Sequence, residues 1–150
     1  MINVSLVQER LSLIKSYLTE LEELRRFERE AFLADKKVIG ATESYLRRSL
    51  EAVFDVGRHI LAKTGGADLT LEYKSIAQGL AARGVVDRHL GEQLVKMAGY
   101  RNRLVHLYHL VTDEELYEII QSDLDDIRGF VVAIRDFLGR QGRTNSAQRH

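Results

Sequence analysis

The chain contains no cysteine and no proline. Without cysteine there is no disulfide framework and no thiolate metal site, so a reducing, cytoplasmic setting is the expectation. Average usage of about 5% would place roughly seven prolines in a chain of this length. Their absence suits long uninterrupted helices, because proline serves turns and breaks the helical ladder. Neither sign of charge is in excess: 22 Lys and Arg balance 22 Asp and Glu, and no global field marks a nucleic-acid binder. Long apolar runs are missing as well. The N-terminal "MINVSLVQERLSLIKSYL" carries Glu9, Arg10 and Lys15 inside its apolar pattern, which argues against a signal peptide or a membrane span.

What is present is ordinary for one soluble globular domain: 150 residues, 45% apolar and 29% charged. Val7, Leu11, Ile14, Leu18 and Leu21 recur at spacings of four and three, which predicts a helix over about 3–26. "RFEREAFLADKK" reads as a short helical or irregular connection. A second helix over about 35–63 places Leu46, Leu50, Val53, Gly57, Ile60 and Leu61 on one face. Gly57 on that seam predicts the close approach of a neighbouring helix. "TGGADLT" is the clearest loop. A shorter helix follows over about 71–83, stopped near Gly84, and then another over about 87–108. Thr112 and Glu115 fit a capping box, T-x-x-E. It opens a last helix with the stripe Leu116, Ile119, Ile120, Leu124, Ile127, Val131, Ile134 and Leu138. The expected architecture is an all-α, up-down bundle of about five helices over 1–138, followed at 139–150 by a polar, basic, mobile tail.

Charge is uneven along this frame. Residues 83–109 hold five Lys and Arg against two Asp and Glu, whereas 112–126 hold seven Asp and Glu and no Lys or Arg. Inside the basic segment, "GYRNRLVHLYHL" raises a specific problem. At about 100° per residue, Leu90, Leu94, Met97, Leu104, Val105 and Tyr108 share one arc of the helix, and Arg101 lies within it. Asn102, His106 and His109 line the edge of the arc, while Lys96 and Arg103 point the other way. A charge in an apolar stripe is costly, and two explanations are open. Arg101 snorkels or pairs with a carboxylate from another helix. Alternatively, Arg101, Asn102, His106 and Tyr108 form a site that grips phosphate and moves a proton, since guanidinium offers a planar fork of donors and imidazole titrates near neutrality. Arg101 and His106 are about 140° apart on an ideal helix. They meet either through long side chains in a groove, or as a composite site between two copies of the helix.

Other candidates read more plainly. Asp55 and His59 lie one turn apart, and a solvated i,i+4 pair is preferred to a carboxylate that orients His106. Tyr100 is expected in the core or an interface. His89 and His109 have no cysteine and no His-x3-His or Glu-x-x-His spacing beside them, so no metal site is expected. The acidic residues of 112–126 read as a solvated face and favourable first-turn charges, with partner docking as the alternative.

"RNRLVHLY" resembles the R-x4-H-x-Y signature of HepT-like toxins, within the wider HEPN class. "EAFLADKKVIGATESYLRRSLEAVFDVGRHIL" and "VVDRHLGEQLVKMAGYRNRLVHLY" also resemble that family, and the resemblance spans about 3–138. One departure is Leu71, where many relatives carry proline; it bears on the loop and not on the chemistry. The resemblance implies a cytoplasmic, homodimeric, HEPN-like helical bundle that acts as a metal-independent endoribonuclease and needs no cofactor. Arg101 would hold the scissile phosphate of the RNA, His106 would act as general base or acid, and Asn102 would orient the histidine or contact phosphate. The implied partner is an MntA-like nucleotidyltransferase antitoxin that attaches AMP to Tyr108. The alternative is a non-catalytic HEPN-type module that binds a nucleotide or RNA as an adaptor. His106 beside Arg101 favours the enzyme, because pure binding does not need a group titrating near pH 7.

Overall fold

The computed structural model describes residues 1–64, 72–106 and 111–148, with side chains as far as 143. Among them the chain forms seven helices and no strand: α1 Val4–Arg25, α2 Arg29–Leu33, α3 Lys36–Lys63, α4 Tyr73–Ala82, α5 Arg88–His106, α6 Asp113–Ser122 and α7 Leu124–Gln148. None is long and apolar enough to cross a membrane. The five apolar positions of α1 are all buried, as are Leu46, Leu50, Val53, Gly57, Ile60 and Leu61 of α3. The two polar residues buried among the described ones, Thr42 and Ser49, each return their hydroxyl to the carbonyl four residues back. Burying them therefore strands no donor.

Short side chains start and stop these helices. Asn3 caps α1, Asp35 accepts from the amides of Lys37 and Val38 at the start of α3, and Asp87 accepts from Leu90 at the start of α5. α4 ends where Gly84 takes φ +71°. The amides of Gly84 and Val85 turn back to the carbonyls of Ala81 and Leu80, a Schellman closure that a residue with a Cβ would strain.

Two glycines set how closely the helices around α4 approach. A Cβ added at Gly57 would lie 2.8 Å from Cγ2 of Ile76, and one at Gly91 would lie 2.7 Å from Cβ of Ala81. α4 thus nests against α3 on one side and α5 on the other. The close approach expected at Gly57 is present.

The all-α bundle expected from the sequence is present, and the connection "RFEREAFLADKK" holds the short α2. But the predicted last helix breaks at Asp123. The apolar period runs through that break unchanged. α6 packs on α1, α2 and α3, however, whereas α7 packs on α1 and α5, so the chain must turn between them. Gln121 donates to the carbonyl of Arg25, occupying one of the free acceptors at the end of α1. Over the segment read as a polar, basic tail, the backbone of α7 continues helically to Gln148.

The glycines yield a paired prediction. Gly91→Ala should lower thermal stability, because the cost of forcing α4 from α5 exceeds the gain in helix propensity of about 1 kcal/mol. Gly99→Ala on the same helix meets nothing within 4 Å and should be stabilising. Thermal melts of the two variants should shift in opposite directions.

Candidate active site on the fifth helix

α5 buries Leu90, Leu94, Met97, Ala98 and Leu104. Arg101 stands between Met97 and Leu104 and is half-buried. Its guanidinium carbon lies 4.1 Å from the ring centroid of Tyr73, the first residue of α4. Within about 6 Å an aromatic face attracts a cation, so the ring replaces part of the hydration that Arg101 has lost. The Nε of Arg101 is withdrawn from solvent and makes no hydrogen bond among the described residues. Nor is Arg101 paired with a carboxylate of another helix among them, which was one of the two readings of the sequence.

That pairing belongs to Arg103, which the helical wheel turned towards solvent. Arg103 reaches Glu115 of α6 with both arms of its fork, at 2.9 and 2.5 Å. The bond to Glu115 raises the guanidinium's pKa above its ordinary value. Glu115 is also the last residue of the expected capping box. Thr112 accepts from the amide of Glu115 as predicted, but the carboxylate goes to Arg103. Tyr100 sits between these groups. Burial, and then the neighbouring Asp123 carboxylate, push its hydroxyl upward in pKa. Burial raises Asp123 in turn, with Tyr100 pulling the other way. The Arg103–Glu115 pair holds α5 to α6.

Asn102 and His106 are exposed on α5. Arg101 and His106 keep the angular separation expected of residues five apart. Tyr108 and His109 lie outside the described residues. A groove of about 470 Å³ runs beside this end of α5, lined by residues including Ile39, Glu43, Leu104 and Leu116. Two larger grooves, of about 580 Å³ each, lie along α7. None of the three is lined by Arg101 or His106.

Asp55 and His59 take different partners within this chain. Asp55 lies 3.8 Å from Arg58, and Nε2 of His59 accepts the backbone N–H of Asn3 at 3.0 Å. His59 thus ties α3 to the start of α1. Among the described residues, no group of three or more His, Asp or Glu is placed to hold a metal ion.

Two residues escaped the sequence reading. The guanidinium carbon of Arg58 lies 5.4 Å from the same Tyr73 ring, and its Nε is the other buried side-chain donor without a partner among the described residues. Tyr73 also packs on Phe54 at 4.9 Å. A signal for Arg58 exists: it stands one turn after the buried Phe54, at the edge of the α3 stripe, as Arg101 stands in that of α5.

A family model described as "Ribonuclease HepT-like" matches residues 14–134. The chain is 25% identical over 133 residues to the tRNA nuclease HepT of Aphanizomenon flos-aquae, covering 89% of this chain and 90% of that protein. Its fold is similar to that of YutE, a cytosolic protein of unknown function from Bacillus subtilis, with TM-score 0.80, 22% identity and 93% of each chain covered. It is also similar to the tri-AMPylated HEPN toxin of Shewanella oneidensis, solved in complex with the MNT antitoxin. There the TM-score is 0.76 at 21% identity, with 91% of this chain and 99% of that one covered.

The His59 bond predicts a pH dependence. Burial, then Lys63 and the N-terminal amine, hold the imidazole below its ordinary 6.5 in the folded chain. The unfolded chain therefore binds the proton more readily, and the stability this bond contributes is present above about pH 6.5 and lost as pH falls below it. His59→Leu should melt below wild type at pH 8, and the gap should narrow at pH 5.

Proposed function

The chain belongs to the HepT-like ribonuclease family, and from that premise we propose that it is a toxin that cleaves RNA without a metal ion. The observation that carries the reading is Arg101, a guanidinium set in an apolar stripe, laid on the Tyr73 ring, with a buried donor left unused. A phosphate oxygen is an acceptor of the right charge for that donor. Arg101 holds the scissile phosphate and stabilises the charge that develops on it. His106, exposed on the last described turn of α5, takes the proton of the ribose 2′-hydroxyl. The 2′-oxygen then bonds to phosphorus and the bond to the 5′-oxygen breaks. The products are a 2′,3′-cyclic phosphate and a 5′-hydroxyl, the latter taking up a proton. Asn102, one turn before His106, orients the imidazole or contacts phosphate.

The angle between Arg101 and His106 favours a homodimer in which two copies of α5 face one cleft. Each catalytic pair would then draw its arginine from one copy and its histidine from the other. Transfer RNA is the first substrate to try, since the Aphanizomenon relative is a tRNA nuclease. Control follows the pattern of the Shewanella toxin, which is AMPylated and bound to an antitoxin. A nucleotidyltransferase antitoxin would move AMP from ATP to the hydroxyl of Tyr108 and release pyrophosphate. The added negative charge, two positions beyond His106, would oppose RNA entering the cleft.

The purified protein should cleave transfer RNA in excess EDTA. Arg101→Ala and His106→Ala should each cut the rate by at least about a hundredfold while remaining folded. Cleavage that needs added metal, or that survives either substitution, would overturn the mechanism. RNA binding without turnover by the wild type would favour the adaptor reading.

A further inference from the structure

Arg58 and Arg101 come from different helices and rest on one phenol ring, at 5.4 and 4.1 Å from its centroid. Like charges gathered at one ring repel. Among the described residues the only carboxylate paired with either is Asp55, 3.8 Å from Arg58 and more than half exposed, so water screens most of its effect. Both Nε donors are buried and have no partner among those residues, an arrangement that costs free energy until an acceptor arrives. No other buried side-chain donor among the described residues is left this way. Arg47, Arg103 and Arg128 all find carboxylates, and Arg103 is only two residues from Arg101.

From this juxtaposition we infer that Arg58 is a second phosphate contact for the RNA strand, with Tyr73 as the splint that aims both guanidiniums. The inference rests on the ribonuclease reading and extends it along the substrate. Arg101 addresses the reacting phosphate, while Arg58 addresses a phosphate that does not react. Arg58 therefore contributes to binding and to the register of the strand, and not to the chemical step. A ring under an arginine limits its rotamers before the ligand arrives, so less freedom is lost on binding. The backbone of an RNA strand suits such a pair because it presents charged oxygens in succession, whatever the base sequence.

The test uses full-length protein carrying His106→Ala, so that RNA is held but not cut, and a short labelled single-stranded RNA titrated across a range of salt. Adding Arg58→Gln should weaken binding by about tenfold and flatten the plot of log affinity against log salt by about 0.7, the value of one phosphate contact on a single strand. Arg58→Lys, which keeps the charge, should keep the slope. In the background with His106 intact, Arg58→Gln should raise KM and leave kcat near wild type. Unchanged affinity and slope in Arg58→Gln, with the His106→Ala parent binding normally, would overturn the Arg58 assignment and leave the ribonuclease reading in place. A His106→Ala parent that does not bind RNA at all would overturn both. A melting temperature lowered in Arg58→Gln with no change in slope would make Arg58 a packing residue and also overturn the assignment.

Discussion

The site depends on one contact, the guanidinium of Arg101 against the ring of Tyr73. A cation in the stripe of a packed helix needs something in place of water, and here it is an aromatic face from the start of the neighbouring helix. That ring is in position only because α4 lies unusually close to both its neighbours. Gly57 lets Ile76 and Leu80 reach the backbone of α3, and Gly91 lets Ala81 reach that of α5. Two hydrogen atoms in place of side chains thus set where Tyr73 stands, and Tyr73 sets where Arg101 points. The chain carries the helix-propensity cost of two interior glycines for that placement.

Two arginines on α5, two residues apart, divide the work between them. Arg103 is fully committed: its fork is closed on Glu115. These bonds hold the end of α5 against α6. Arg101 is held by a stack and by burial, and its Nε has no partner among the described residues. A charged pair fixes position; on the proposed reading the donor beside it is the one that meets phosphate, and the helix would use both.

Much of this was legible in the sequence. The stripes of α1 and α3, Leu90, Leu94, Met97 and Leu104 of the α5 stripe, the cap at Thr112 and the stop near Gly84 follow from local rules, and each stands where those rules place it. Arg101 was legible for the same reason, as a violation of the pattern. The break at Asp123 was hidden because the apolar period continues through it, and only the change of packing partners reveals it. The partner of Glu115 was hidden because two rules compete for one carboxylate, and the tertiary ion pair wins over the reciprocal cap. Tyr73 was hidden because its role lies in a contact between α4 and α5, which no spacing within one helix encodes. Arg58 carried a weaker version of the Arg101 signal, masked by the neighbouring Asp55 and His59.

The most direct test of the account is an NMR titration of the arginine Nε–H resonances, with an RNA whose 2′-hydroxyls are methylated so that it binds but cannot be cut. Buried Nε–H protons that gain an anionic acceptor move downfield and exchange more slowly. The account predicts that the resonances of Arg101 and Arg58 do both on saturation, while that of Arg103, already bonded to Glu115, stays in place. If RNA binds and the Arg101 resonance does not respond, its unused donor is not a phosphate grip, and the central claim is wrong.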